Sequence, residues 1–439
     1  MHTIHTLEAP KSGLFGGKHS IVGTTDIRSS ARSRLGHAVK TYLDLLRVQG
    51  VTRIVLSQLT AHFPFGMLSI AFLIHVERVH HSYAAAGAVL AALSGGQAIV
   101  GPLTSRWMGN VGMRPILLWT TFVCTATITA MALLPLSVEA LVALGFIAGC
   151  SMPPIQPAVR TIYPKMVSAN YLTPLFSLDS ALQEVIWIVG PVLATFAAAA
   201  LGSESGILIA AAFFLIGGLW FISSPEVGKV RIPRSKTRFG GVLKRPTVII
   251  STLVGLLLVS SYAAVEAAIV AIYGEGGAEA GIMIAIYAAG SLLGGLAWGH
   301  RGIGPWSLTI RLVVFNVGIL LALASTAFWW VGIALFISGI GVAPGLTVLF
   351  AIVSARVKFS QTAEAFAWIG SGELIGAGLG SALAGVCIDA WAGPAAMWLA
   401  AGLAIAATLG AIIAKPWTPD LRIGTMGPLP DTEPVQLIS

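Results

Sequence analysis

The sequence predicts an all-α polytopic membrane protein whose twelve transmembrane helices form two pseudo-symmetric halves of six. Two observations lead to this fold class. The 439 residues are 56% hydrophobic and only 10% charged, whereas soluble globular proteins carry about 25% charged residues. The apolar residues also collect into runs of about 20, the length that an α-helix needs to cross the hydrocarbon core of a bilayer.

Twelve such runs follow one another along the chain, and we number them spans 1 to 12. A basic linker, 223–246, separates the first six from the last six. The pattern predicts a cytoplasmic segment 1–50, bundles at 51–222 and 247–414, and a cytoplasmic tail 415–439. The spans are predicted to begin near Val51, Tyr83, Pro115, Glu139, Pro174, Ser205, Thr247, Ala278, Ser307, Trp329, Thr362 and Pro394.

The basic residues predict the orientation of the chain. With the N-terminus in the cytoplasm, 25 of the 26 Lys and Arg residues fall on the inner side, and Arg78 faces the other side. Because inner loops are rich in Lys and Arg, we expect both termini to be cytoplasmic in a plasma or inner membrane. The net charge of +8 then belongs to loops near anionic lipid and does not indicate a nucleic-acid partner.

The segment 27–50 predicts a basic amphipathic helix on the inner membrane surface. The alternative is a short solvated helix that leads into span 1. The pattern consists of Leu35, Val39, Tyr42, Leu43 and Leu46 at helical spacing, with Arg32, Arg34, Lys40 and Arg47 between them.

Two groups of six spans with a basic linker resemble the major facilitator superfamily, over about 51–415. The loop between spans 2 and 3 reads GPLTSRWMGNVGMRP. Its Gly101, Arg106, Gly112 and Arg114 resemble the family motif, while Ser105 stands where the family has an acid. The resemblance implies solute transport by a monomer and a conformational role for these four residues.

Spans 4 and 5 resemble bacterial proton-coupled efflux members of that superfamily. Span 5 carries a Gly190-Pro191 pair, and span 4 reads GCSMPPIQPAVR. Spans 4 and 10 are the most interrupted by Gly and Pro and occupy equivalent places in the two halves. Since irregular helices are tolerated where they line a cavity, we expect a cavity between them.

Three acids lie inside predicted spans, where charge is costly. Glu184 of span 5 and Glu373 of span 11 lie at nearly the same depth, and both are candidates for binding a proton or a cationic solute. Glu266 of span 7 shares a helix face with Tyr262 and is either a coupling acid or a residue at the cavity mouth. The alternative for Glu184 and Glu373 is a carboxyl held neutral by hydrogen bonds or one hydrated from the cytoplasmic end.

Other polar and aromatic residues are candidates with open alternatives. Arg160 either extends to the inner surface or pairs with an acid such as Glu184 or Asp179. His62 is either a titrating group or a packing residue. Asn316, Trp187, Trp368 and Tyr262 are candidate cavity-lining residues. Asn316 alternatively joins helices, and the tryptophans are alternatively lipid-facing or packing residues.

The function that these features favour is proton-coupled export of a small amphipathic organic compound across a lipid bilayer. The alternatives are uptake or exchange of a sugar or metabolite, and a receptor or assembly factor on the same fold. The sequence has no phosphate-binding Gly-Lys-Ser/Thr loop, nucleophile–base pair or metal-ligand cluster. We therefore expect no enzyme activity, cofactor or metal.

Overall fold

The computed structural model describes residues 40–235, 237–273, 279–299, 301–422, 428–429 and 431. In these residues, eleven helices are long and apolar enough to cross a membrane, and a shorter apolar helix, Ser307–Ala322, lies between two of them. Together they correspond to the twelve predicted spans, and each begins within about five residues of its predicted start. The protein is therefore a multi-pass membrane protein, as the hydropathy pattern predicts.

The first six spans are Val51–His80 (helices Val51–His62 and Pro64–His80), Tyr83–Asn110, Met113–Leu133, Val138–Met166 (helices Val138–Cys150 and Ile155–Met166), Ala169–Leu201 and Ser205–Ser223. The last six are Pro246–Tyr273, Glu279–Trp298, Ser307–Ala322, Phe328–Arg356, Thr362–Trp391 and Gly393–Ala414. Short helices at Pro225–Lys229, Gly241–Lys244, Phe359–Gln361 and Lys415–Trp417 lie in the connections. We call the end of the bundle that carries the connection between spans 6 and 7 the linker side.

Proline breaks span 4 but not span 10. Residues 151–154 of span 4 are not helical, because the consecutive Pro153 and Pro154 lack the N–H groups that would continue the helix. Span 10 carries a single Pro344 and stays helical from Phe328 to Arg356. The two spans that look equally interrupted in sequence therefore differ in structure.

Close glycine contacts repeat between the two halves. In the N-terminal half, a Cβ on Gly96 of span 2 would lie 2.8 Å from the backbone nitrogen of Cys150 in span 4. In the C-terminal half, a Cβ on Gly294 of span 8 would lie 2.6 Å from the Cα of Ile340 in span 10. Small residues allow helix backbones to approach closely in membranes. The matching contacts of spans 2 and 4 and of spans 8 and 10 reflect the pseudo-symmetry of the halves.

The two halves meet near the linker side. The Ser371 hydroxyl of span 11 donates to the Ala98 carbonyl of span 2 at 2.9 Å. The Ser177 hydroxyl of span 5 donates to the Gly295 carbonyl of span 8. These contacts close the linker side of the bundle below the cavity described next.

The described part of the predicted amphipathic segment is helical at 40–47. Its Leu45 is fully buried and its Tyr42 hydroxyl donates to the Leu296 carbonyl of span 8 at 2.9 Å, whereas Leu43 and Leu46 are exposed. The helix thus contacts the C-terminal half through Tyr42. Residues 27–39, which include Leu35, Val39, Arg32 and Arg34, lie outside the described residues.

Candidate functional site

A cavity of about 340 Å³ lies between the two halves. Spans 1, 2, 4 and 5 line it from one half, and spans 7, 10 and 11 line it from the other. Eight of the residues singled out from the sequence lie on its wall: His62, Gly101, Arg160, Glu184, Trp187, Tyr262, Glu266 and Glu373. Spans 4 and 10 both contribute to it, as their interruption predicts.

Glu184 connects the two halves at the cavity wall. Its side chain is buried, and the Ser291 hydroxyl of span 8 donates a hydrogen bond to its Oε1 at 2.7 Å. The same hydroxyl accepts from the backbone N–H of Ala343 in span 10 at 3.2 Å. Glu184 also lies within electrostatic range of Glu266. The carboxyl of span 5 is therefore tied to two spans of the opposite half.

Glu373 has a different environment from Glu184. It lies on the cavity wall within electrostatic range of Arg160, but no ion pair joins the two side chains among the described residues. Its Oε1 is buried without a hydrogen-bond partner in that part of the chain. The two acids predicted at equivalent depth are thus satisfied by protein contacts to different degrees.

Arg160 pairs with Asp179 inside the N-terminal half. Its Nε lies 3.3 Å from Oδ2 of Asp179, and its guanidinium carbon lies 3.5 Å from the centre of the Phe350 ring. This geometry selects the paired alternative over extension to the membrane surface. Asp179 also accepts hydrogen bonds from Gln58 at 3.0 Å, Tyr163 at 3.2 Å and Gln183 at 3.3 Å.

The central role of Asp179 was missed in the sequence, where it appears only as a possible partner of Arg160. The available signal is its position five residues before Glu184 in an apolar span. Its four hydrogen-bond donors come from spans 1, 4 and 5, so the complete group is visible only after folding.

Four polar side chains on the cavity wall have buried atoms without a hydrogen-bond partner among the described residues. They are Nδ1 of His62, both amide atoms of Gln156, Oε1 of Glu373 and Oγ of Ser105. His62 stacks on Phe65 with ring centres 4.2 Å apart. Since buried polar groups in proteins are generally paired, these atoms mark the positions where a solute or water would bind.

Aromatic side chains form part of the same wall. Tyr262 stacks on Tyr287 with ring centres 4.8 Å apart, and Trp187 is 50% exposed. Phe65 and Phe366 also line the cavity. The cavity therefore combines a few charged groups with large apolar surfaces.

Two predicted cavity residues lie elsewhere. Asn316 donates to the carbonyls of Leu312 and Ala404, both at 2.9 Å, and so joins spans 9 and 12. Trp368 packs on Phe239 of the linker with ring centres 5.8 Å apart. Neither residue lines the cavity, because each points to a helix face that hydropathy alone does not distinguish.

The segment predicted as the loop between spans 2 and 3 is helical up to Asn110, and this end of span 2 contacts span 11 and the linker. Nη1 of Arg106 lies 2.8 Å from Oε2 of the buried Glu364, and Arg106 also donates to the Thr237 carbonyl. The other Glu364 oxygen accepts from the N–H of Gly240 at 2.8 Å. We call Arg106, Glu364, Thr237 and Gly240 the linker-side clasp.

The clasp supplies a carboxylate that the loop itself lacks. Ser105 occupies the position of the family's acid, and Glu364, in the first turn of span 11, provides the acid from the opposite half. Glu364 was missed in the sequence, and acids are common in the first turn of a helix.

The other two loop residues have local roles. Gly112 adopts φ +114° between spans 2 and 3, a conformation that favours glycine. Arg114 donates to the carbonyls of Ile222 at 3.1 Å and Ser224 at 3.2 Å, which fixes the end of span 6.

A family model supports the resemblance seen in the sequence. The model of the Major Facilitator Superfamily matches residues 54–308, just over half of the chain. The chain belongs to the major facilitator superfamily. It is accordingly a secondary transporter of the alternating-access type, in which two helix bundles expose a central site to either side of the membrane.

Solved structures share this fold at low sequence identity. A bacterial homologue of the iron transporter ferroportin in its outward-facing state has a TM-score of 0.64 and 14% identity, covering 84% of this chain and 98% of its own. The human organic anion transporter MFSD10 (TETRAN) has a TM-score of 0.63 and 14% identity, covering 82% and 98%. No curated protein matches the sequence significantly.

Proposed function

We propose that this superfamily member exports a small amphipathic organic compound in exchange for protons. The observation that carries the proposal is the hydrogen bond between Glu184, which lines the cavity, and Ser291 of the opposite half of the bundle. A proton-binding group that contacts the opposite half in one state has different surroundings in the other. The group's affinity for a proton then changes with conformation, as coupling requires.

The linker-side contacts describe one end of this cycle. With the linker side closed, the Glu184 carboxyl is buried and accepts a hydrogen bond from Ser291. Separation of spans 5 and 8 removes this bond and gives the carboxyl access to water or to a cationic solute. An ion is costly at membrane depth without such partners, so we assign proton exchange to the step in which the halves separate.

The cavity wall favours an amphipathic organic solute over the alternatives. Trp187, Tyr262 and Phe65 offer ring faces, whereas a sugar would need many hydrogen-bonding partners. A receptor or assembly factor has no need of three acids around one cavity. The iron transporter homologue is similar in fold, but the described residues of this chain contain no group of three His, Cys, Asp or Glu side chains that would hold a metal ion.

We place the protein in the plasma or inner membrane with both termini and the linker in the cytoplasm. The excess of Lys and Arg at the linker side supports this orientation. A reporter fused after Lys236 or Arg422 should be cytoplasmic, and one inserted in 275–277 should be external. A cytoplasmic signal from the last position would contradict this orientation.

Reconstituted vesicles test the function. Purified protein would be given a panel of amphipathic dyes with and without an imposed pH gradient. We expect accumulation that depends on the gradient and is abolished by a protonophore. Movement that is the same with and without the gradient would remove proton coupling, and no movement of any dye or metabolite under either condition would contradict transport of this class.

A further inference from the structure

The cavity has a corner with hydrogen-bond donors that the coupling of protons at Glu184 does not use. Arg160 is 4% exposed and lines the cavity. Only its Nε reaches Asp179, and its two terminal nitrogens make no hydrogen bond to the described residues. A buried guanidinium with free donors is a strong site for a carboxylate or another planar anion.

Gln156 extends this corner by one helical turn. It precedes Arg160 by four residues in the helix Ile155–Met166, so the two side chains share one face. Both amide atoms of Gln156 are buried without a partner among the described residues, and both residues line the cavity. The helix begins there, at the break in span 4, and its N-terminal dipole favours a negative charge.

His62 lies beside the same corner. Its side chain is buried on the cavity wall within electrostatic range of Arg160, and its Nδ1 has no hydrogen-bond partner in the described chain. Arg160, Gln156 and His62, which we call the anion corner, thus present several unused polar atoms to the cavity. Glu373 faces them without forming an ion pair and does not fill the position.

Two acids of the cavity, Glu184 and Glu266, lie farther from the linker side than Arg160 does. Glu184 follows Asp179, the partner of Arg160, by five residues of span 5, a rise of about 7.5 Å. It faces Glu266 of span 7, with Trp187 and Tyr262 on the same wall. The cavity therefore has an end with unused donors at Arg160 and an acidic, aromatic end at Glu184 and Glu266.

We infer that the solute is zwitterionic, with an anionic group held at the anion corner and a cationic group held between Glu184 and Glu266 around an apolar body. This inference rests on the proposed transport function and narrows its substrate class. A cation alone would leave the Arg160 donors unused, and an anion alone would leave two acids facing each other.

A trio of compounds on one ring tests this inference. 4-(Aminomethyl)benzoate carries both charges at opposite ends, 4-methylbenzylamine carries only the cation, and 4-methylbenzoate carries only the anion. Dose-dependent thermal shifts of the full-length protein in detergent would give the three affinities, with the matching trio on a biphenyl body measured in parallel. We expect the zwitterion to bind at least tenfold more tightly than the amine or the carboxylate in whichever of the two ring series binds more tightly.

Variants separate the two ends of the cavity. Gln156→Leu and Arg160→Gln should remove the preference for the zwitterion over the amine while leaving the affinity for the amine within about twofold. Asn316→Leu and Arg311→Gln are the matched controls, since they remove a buried amide and a buried guanidinium that do not line the cavity. If Arg160→Gln does not fold because Asp179 loses its cation, Gln156→Leu still gives the comparison.

The outcomes distinguish this inference from the proposed function. Four results would each overturn the inference of a zwitterionic substrate. They are equal binding of the amine and the zwitterion, binding of the anion alone, binding of none of the six compounds, and an unchanged preference for the zwitterion in Gln156→Leu. Gradient-driven accumulation of the amine alone in vesicles would overturn it as well, yet leave proton-coupled export standing. A zwitterion preference that is lost in both cavity variants and kept in both controls would support it.

Discussion

Spans 4 and 10 occupy equivalent places in the two halves, yet only span 4 is broken. The break at 151–154 removes helical hydrogen bonds and starts a new helix at the cavity, which carries Gln156 and Arg160. In span 10, neighbouring side chains bond the backbone around Pro344. Arg311 donates to the Pro344 carbonyl at 3.0 Å, and Ser291 accepts from the Ala343 N–H. Proline thus interrupts the helix at the cavity in the N-terminal half, whereas the helix around Pro344 in the C-terminal half stays intact and is bonded by neighbouring side chains.

The difference extends to the two acids at equivalent depth. Glu184 of span 5 is bonded by Ser291 of the opposite half, whereas Glu373 of span 11 keeps an oxygen without a partner in the described residues. Pseudo-symmetry of the helices therefore does not make the chemistry of the halves symmetric. The N-terminal half contributes Arg160 and Glu184 to the cavity, and the C-terminal half contributes Glu266 and Glu373.

The largest expected effect on transport is the difference between substitutions of Glu184 and Glu373. Glu184→Gln keeps a nearly isosteric group at the Ser291 contact but cannot release a proton. We expect it to fold and to abolish gradient-driven accumulation in vesicles, with exchange of solute partly retained. Glu373→Gln should lower accumulation by about tenfold or less, because that carboxyl does not bond the opposite half. Unchanged gradient dependence in both variants would show that the acids are structural.

The next effect tests the break in span 4. In the double variant Pro153→Ala/Pro154→Ala the backbone regains two N–H donors, so the helix should continue through 151–154 and move Gln156 and Arg160 from the cavity. We expect transport to fall by about ten- to a hundredfold with normal membrane insertion. Pro344→Ala in span 10 is the matched control and should change transport less than about twofold. Equal losses in both variants would remove the distinction between the halves.

The helices of this protein could be predicted from the sequence, but most side-chain partners could not. Spans are set by local hydropathy, so their starts and number were predicted closely. Charged residues in apolar runs also stand out, which is why Glu184, Glu266 and Glu373 were found. Partners depend on three-dimensional packing, so Asp179 and Glu364 were undervalued. The sequence leaves Asn316 between binding a solute and joining helices, and Trp368 between lining the cavity and packing. The structure shows helix joining for Asn316 and packing for Trp368. Hydropathy alone does not indicate which face of an apolar helix lines the cavity.

A smaller effect concerns the linker-side clasp, which joins the halves. Arg106→Ala removes the cation beside the buried Glu364 and the donor to Thr237. Because this contact joins the two halves at the linker side, its loss should favour the state in which they separate there, with a coupling of about 5- to 150-fold. Spin labels at the exposed Asn110 and Arg356 would report a longer distance population, and transport should fall while insertion stays normal. Unaltered distances and full transport would reduce Arg106 to a charge that sets orientation.

The smallest effect is expected at the pair of Arg53 and Glu226, which joins span 1 to the start of the linker within one half. Nε of Arg53 lies 3.2 Å from Oε2 of Glu226, and Arg53 is largely exposed. Exposed ion pairs contribute about 1 kcal/mol or less, so Arg53→Gln should lower Tm only slightly and leave the clasp distances and transport unchanged.

The stabilisation by the pair of Arg53 and Glu226 should depend on pH. Partial burial raises the pKa of Glu226, whereas the hydrogen bonds from Arg53 lower it. The net shift of this pKa is downward. A carboxyl whose pKa is lowered by folding stabilises the folded protein above its unfolded pKa of about 4.5. The Tm difference between wild type and Arg53→Gln should therefore be present at pH 7 and shrink as the pH falls below about 4.5. A difference that grows on acidification, or a transport loss like that of Arg106→Ala, would mean that the linker anchor and the clasp act as one unit.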